Sequence, residues 1–251
     1  MSTTDIPAGL IEALRKARHV AVLTGAGVSA ESGVPTFRDA QTGLWAKYSP
    51  EELATPEAFL RNPQRVWEWY EWRRGLVTEV TPNPGHRALV EIEKRVPQFT
   101  LITQNVDGLH QRAGSRGVIE LHGNIARTVC SEEGTLVEDR AETDDVPSRC
   151  PNCGGLVRPD VVWFGEPLPQ GAIEAAAHAA RSCDLFFSIG TSAAVQPAAA
   201  LPYEAIRRGA VTVEINPQST PLTARVTYAL PGPSGQVLPA LVQAAWSERE
   251  A

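Results

Sequence analysis

Val20-Ala21-Val22-Leu23-Thr24 runs straight into Gly25-Ala26-Gly27-Val28-Ser29-Ala30. The first five residues form an apolar, Val-containing run too short for a helix, which predicts a buried parallel strand. The next six fit G-x-G-x-x-G/A, the turn through which a strand hands over to a helix. Small residues there let the backbone approach a pyrophosphate, and the unpaired N–H groups and positive dipole end of the helix face it. Taken alone, the pattern equally describes a tight strand-to-helix turn. A dehydrogenase-type unit would deliver a second strand within about 30 residues, ending in an acidic residue for the ribose. Here Ser32-Gly33-Val34-Pro35-Thr36-Phe37-Arg38-Asp39 follows, with no strand pattern. A nicotinamide oxidoreductase is therefore the least favoured enzyme of this fold.

Outward from this stretch, the chain alternates. Residues 6–17 carry Leu10, Ile11 and Leu14 at helical spacing, and residues 99–103 and 118–121 are short apolar runs. Residues 170–181 read as helix, 185–189 as strand, 197–208 as helix, 211–215 as strand and 237–246 as a final helix. This alternation predicts an α/β fold with a Rossmann-like, doubly wound parallel sheet. A smaller domain is expected beside it, made of a helical insertion and a zinc-ribbon-like module. The expected boundaries are 1–42, 81–123 and 160–251 for the nucleotide-binding domain, 43–80 for the insertion and 124–159 for the ribbon.

Composition excludes several partners. The 251 residues are 43% hydrophobic, enough for one sizeable core. A net charge of -6 and the lack of any basic run argue against nucleic acid and anionic membranes. No apolar run approaches a membrane span and no leader pattern opens the chain, so the expected location is cytoplasmic. Four cysteines, two of them close together as Cys150-Pro151-Asn152-Cys153, point to metal rather than to disulfides there.

Polar residues collect where strands are expected to end, which is where open parallel sheets bind ligands. Gln104-Asn105-Val106-Asp107 follows one strand, and its amides and carboxylate suit ribose hydroxyls and a carboxamide or, equally, cap the next helix. His122-Gly123 follows another, and an imidazole there suits removal of a ribose proton near neutral pH. Asn62-Pro63 opens a helix whose apolar stripe of Val66, Trp69, Tyr70 and Val77 is interrupted by Arg73. An inward guanidinium needs an anionic partner or a route to water. Residues 41–56, with Trp45 and Tyr48, read as a loop long enough to close over a ligand. Cys130, Cys150 and Cys153 fit a zinc ribbon except that Glu133 stands at the second ligand position. The module then either holds zinc through three thiolates and a carboxylate or folds without metal. Cys183 precedes an apolar strand and is expected in the core.

Gly25 to Pro35 with Phe37-Arg38-Asp39 resembles the signature of the sirtuins, NAD-dependent protein lysine deacylases. Four further blocks match in order: residues 103–110, 120–123, 161–166 and 190–192. The resemblance implies NAD contacts from Gly25, Ala26, Gly27, Ser29, Glu31, Phe37, Arg38, Trp45, Gln104, Asn105 and Asp107. It extends them to Gly190, Thr191, Ser192, Asn216 and Ser234 on the phosphate, ribose and adenine side. By the same resemblance His122 is the catalytic base, Asn105 and Asp107 position the ribose and carboxamide, and Phe37 shields the reactive ribose face. Val161, Val162 and Phe164 match a stretch that pairs through its backbone with the acylated lysine peptide. Tyr70 and Arg73 resemble the Tyr-x-x-Arg pair of class III sirtuins, which binds the distal carboxylate of succinyl- or malonyl-lysine, and Ala54 matches the small residue that widens that acyl pocket. Arg supplies a planar fork for a carboxylate and Tyr another donor. A mono-ADP-ribosyltransferase and a non-catalytic NAD or ADP-ribose sensor are the alternatives.

Overall fold

All six residues of the first strand are buried, as a strand covered on both faces requires. The computed structural model describes residues 5–34, 48–49, 52–138 and 146–247. Phe37, Arg38 and Trp45 lie outside the described residues. The strands are β1 (His19–Thr24), β2 (Gln98–Thr103), β3 (Ile119–Glu120), β4 (Gly123–Cys130), β5 (Val157–Val161), β6 (Leu185–Ile189), β7 (Val211–Asn216) and β8 (Tyr228–Pro231). The α-helices are α1 (Ala8–Lys16), α2 (Gly27–Ala30), α3 (Pro56–Arg61), α4 (Pro63–Glu79), α5 (Pro84–Glu93), α6 (Leu109–Ala113), α7 (Gln170–Ser182), α8 (Leu201–Arg207) and α9 (Ser234–Trp246).

Six strands form one parallel sheet in the order β3-β2-β1-β6-β7-β8. Strand β1 lies between β2 and β6, with Val20 opposite both Phe99 and Leu185. The order reverses there, and a reversal opens a crevice beyond the strand C-termini. Alternate residues of β1 serve opposite faces. Val20 and Val22 pack with Leu10 and Leu14 of α1, Leu89 and Ile92 of α5, and Leu238 and Leu241 of α9. Ala21 and Leu23 meet the Ala-rich side of α7 and Leu201 of α8, and Cys183 is buried in the same cluster, as expected. Each fully buried Leu stabilises the sheet by about 1.5–3 kcal/mol. Alanines on α7 bring that helix close instead.

Strands β4 and β5 form a separate antiparallel pair, irregular between Asn124 and Thr128. Helix α4 begins as its sequence predicts, with Asn62 Oδ1 accepting the Arg65 N–H at 3.0 Å and Pro63 in the first turn. Several elements depart from expectation. Helices α3 and α5 and strand β8 add to the predicted set, and 197–208 starts with a 3-10 turn at Ala198–Ala200 before α8. Strand β2 does not start until Gln98, so the acidic second strand of a dehydrogenase is absent from the described residues. The β-prone run 161–164 is a strand only at Val161, because Glu166 accepts the Trp163 N–H at 2.8 Å and Gly165 turns the chain at φ 89°. No helix among the described residues is long and apolar enough to cross a membrane.

Candidate active site

The loop after β1 crosses the loop after β6 at close range. Gly25 N–H donates to Ile189 O at 3.0 Å and Gly27 N–H to Gly190 O at 2.9 Å. A Cβ on Gly27 would sit 2.7 Å from Gly190 Cα, and one on Gly190 would sit 2.5 Å from Val28 N. The glycines therefore make room for the neighbouring loop, where the motif alone suggested room for a ligand. Val28 and Ser29 also place their N–H groups, on Gly25 O and Ala26 O. Among the described residues Ala26 is left as the one amide of the turn without an acceptor, and it is exposed at the crevice. Gly190→Ala is expected to destabilise the fold by about 2 kcal/mol or more, since φ is 61° there and the backbone of 27–28 cannot yield. A thermal melt would read this as a Tm lower by roughly 4 °C or more; an unchanged Tm would show that the loops can part.

Beside the turn, Ser29 is buried and donates to Asp107 Oδ2 at 2.7 Å. Asn105 Nδ2 lies 3.1 Å from both Gly25 O and Ser29 Oγ, which ties the end of β2 to the β1 turn. The other Asp107 oxygen accepts Leu109 N–H at 2.9 Å in an Asx turn, but the N-cap of α6 is Gly108, so the capping position foreseen for Asp107 falls one residue later. Burial pushes the Asp107 pKa up, opposed by those two hydrogen bonds and by the charges of Arg73 and Arg112. His122 follows β3, half-buried, with Nδ1 2.8 Å from Gln104 O. A carbonyl accepts only, so Nδ1 carries the proton and the lone pair is on Nε2. Burial lowers the His122 pKa and the Gln104 carbonyl partly restores it, which favours the neutral ring with its Nε2 lone pair free to take a proton.

Backbone hydrogen bonds join this centre to the cluster around Ala54 and Tyr70. Val162 N–H donates to His122 O at 3.0 Å, and Phe164 N–H to Ala54 O at 3.0 Å. The amides of Val162, Trp163 and Phe164 are thus all engaged within the chain, and Phe164 leaves its ring exposed. Of the carbonyls in this run, Trp163 O accepts Glu166 N–H at 3.1 Å. Ala54, Tyr70, Val161 and Trp163 are buried in one cluster with Phe59 and Trp69. Tyr70 and Arg73 face the same way, the guanidinium lying 4.9 Å from the Trp69 ring centre and 6.0 Å from that of Tyr70. Burial lowers the Arg73 pKa against the pull of Tyr70 and Asp107. The inward cation foreseen from the helical stripe therefore lies within electrostatic reach of the buried carboxylate.

On the other side of the β1 turn, after β6, Thr191 is buried, and its carbonyl accepts from Asn216 Nδ2 at 2.7 Å. Ser192 is exposed, and Ala193 is held at φ 52°, a strained position for a residue with a Cβ. Glu31 Oε2 accepts Gly235 N–H at 2.6 Å, so this carboxylate anchors the start of α9. Ser234, beside it, is buried with no partner for its Oγ among the described residues.

Cys130, Glu133, Cys150 and Cys153 bring one ligand atom each to within 4.8 Å of one another. Cys130 Sγ and Cys153 Sγ are 3.4 Å apart, and Glu133 N–H points at Cys130 Sγ. Three thiolates and a carboxylate in this spacing fit a tetrahedral zinc ion. Trp67, Val137 and Val157 pack around the cysteines and could hold the module by themselves. Zinc added to chelator-treated protein is expected to raise Tm, and to raise it further in Glu133→Cys, whose fourth thiolate suits structural zinc better. No shift in either protein would mark a metal-free module.

The Sir2 family model matches residues 25–197, more than half of the chain. This chain belongs to the Sir2 family. It is 52% identical over 243 residues to an "NAD-dependent protein deacylase" of Methylococcus capsulatus, covering 94% of this chain and 95% of that one. "NAD-dependent protein deacylase 1" of Pseudomonas aeruginosa is 50% identical over 246 residues, covering 94% and 98%. Among solved structures, a Sir2 homolog–NAD complex superposes with a TM-score of 0.89 at 44% identity over 98% of this chain and 96% of that one. A Sir2–p53 peptide–NAD+ complex gives 0.83 at 30% identity over 94% and 97%.

Three polar residues of this Sir2 chain escaped the sequence reading. Asn83 caps α5 through Gly85 N–H at 2.9 Å and donates to Val28 O at 2.7 Å, joining that helix to the β1 turn. The Asn-Pro pair was the available signal, the same as at Asn62. His86 and His110 lie under the site with ring centres 4.8 Å apart, and His110 Nε2 is 2.9 Å from Thr24 Oγ1. Burial lowers the pKa of His86 to about 4 and of His110 to about 3, so both are neutral supports. Nothing in the spacing of the histidines separates these from exposed His178.

Proposed function

We propose that this chain is an NAD-dependent protein-lysine deacylase that removes acetyl and acidic acyl groups, succinyl and malonyl among them. One observation carries the acidic preference: a guanidinium and a buried phenol side by side, within electrostatic reach of Asp107. When bound, NAD would supply an electrophilic ribose carbon from which nicotinamide departs on attack by the acyl oxygen, and one water would be consumed as the acyl group ends on ADP-ribose and lysine is freed. His122 takes a ribose proton on Nε2, the nitrogen its bond to Gln104 leaves available. Asn105 and Asp107 hold the ribose and carboxamide, with Ser29 fixing both side chains. The exposed Ala26 amide, Gly190, Thr191, Ser192 and Asn216 take the phosphate and adenosine side, with Gly25, Gly27, Glu31 and Ser234 in support.

Ala54 leaves room for a long acyl chain, and Arg73 with Tyr70 receives its carboxylate. The peptide lies along 161–164, recognised by extended shape more than by sequence. The domain boundaries given above and a cytoplasmic location, where thiols stay reduced, belong to the same proposal. The test uses one peptide carrying acetyl-, succinyl- or malonyl-lysine, with and without NAD, followed by mass spectrometry. NAD-dependent loss of the acyl mass with formation of O-acyl-ADP-ribose is expected. Nicotinamide release without an acylated peptide would favour ADP-ribosyl transfer, and NAD binding without turnover a sensor.

A further inference from the structure

The Tyr70 hydroxyl is already half committed. Its oxygen accepts the indole N–H of Trp163 at 3.0 Å, between side chains only 1% and 3% exposed. An indole nitrogen can only donate, so it occupies the acceptor side of the phenol and leaves the phenolic proton to be aimed elsewhere. Among the described residues that proton has no acceptor. Burial also pushes the Tyr70 pKa up to about 12, so the proton stays on the oxygen throughout the working range.

Trp163 is itself held from several sides. Its backbone N–H donates to Glu166 Oε2 at 2.8 Å, and Glu166 receives Arg158 through both carboxylate oxygens at 2.5 and 2.9 Å. The Arg158 guanidinium carbon lies 3.4 Å from the indole ring centre, and Phe59 packs against the indole at 5.2 Å between centres. A cation on the ring and a carboxylate on its backbone fix the direction of the indole N–H.

We propose that Trp163 is a specificity-determining positioning residue, which orients the Tyr70 hydroxyl as a donor to the distal carboxylate of an acidic acyl chain beside Arg73. This rests on the acidic-acyl reading above. An acetyl group carries no distal oxygen and gains nothing from the arrangement, so the effect is selective.

The test is steady-state kinetics of Trp163→Phe on one peptide bearing succinyl- or acetyl-lysine. The succinyl-to-acetyl ratio of kcat/KM is expected to fall about tenfold, mostly through a higher KM for the succinyl peptide. Adding Tyr70→Phe to that variant should cost little more, because the two changes remove one interaction. Equal loss on both peptides, as a packing role alone would give, overturns the proposal. Replacing Trp163 by benzothienylalanine, which keeps the ring shape without the N–H, gives the same reading should the phenylalanine variant not fold. Loss of the succinyl preference in Arg73→Met but not in either Trp163 variant overturns this proposal alone. A wild-type protein with no succinyl turnover overturns the acidic-acyl reading and this proposal with it.

Discussion

His122→Ala is expected to lower kcat/KM on an acyl-lysine peptide by on the order of 10²–10⁴-fold, the usual worth of a positioned general base. The half-buried ring makes one hydrogen bond among the described residues, to Gln104 O, so its removal should cost little stability by comparison. The pH profile gives an independent reading. The active form is the neutral ring, and burial places its pKa below the ordinary imidazole value of 6.5. Protonation fills the Nε2 lone pair, so activity is present above the depressed pKa and is lost as pH falls through it. The acid limb of kcat/KM should therefore lie below pH 6.5. An acid limb at or above that value, or an alanine variant with near-normal turnover, would remove His122 from the role of base.

Arg73→Met is expected to cost roughly 2–5 kcal/mol in binding an acidic acyl group, on the order of 30-fold or more in apparent affinity. Methionine preserves much of the aliphatic bulk over Trp69 and removes the fork that a carboxylate would grip. A smaller loss common to all acyl groups should accompany it, because Asp107 loses a neighbouring positive charge. The decisive measurement is the ratio of desuccinylation to deacetylation on one peptide. Equal loss of the two activities would assign Arg73 to the Asp107 network and not to acyl recognition.

Local pattern made much of the fold legible. The buried run 20–24, the helix cap at Asn62 and the strand–helix alternation after residue 170 are short-range signals, and the structure follows each of them. Helix α5 was equally marked, since Asn83-Pro84 repeats the chemistry of Asn62-Pro63. Strand β3 falls within the expected run 118–121 though only two residues long, whereas the four residues of β8 are too few for periodicity to distinguish them from loop. The β-branched and aromatic residues of 161–164 suit a packed turn as well as a strand, and Glu166 with Gly165 decides between the two.

By itself the amino-acid order determined the parallel α/β plan, the candidate polar residues at the strand ends and the three-cysteine, one-glutamate set. These depend on near-neighbour spacing, on helix and strand periodicity and on residue chemistry. Only the tertiary structure decided what those residues touch. It pressed Gly27 against Gly190, set Arg73 within reach of Asp107, turned the His122 lone pair to Nε2 and placed the Trp163 N–H on the Tyr70 hydroxyl, 93 residues away in the chain. Each of these pairings joins separate elements. Their geometry depends on how helices and strands pack, and spacing along a chain carries no record of that.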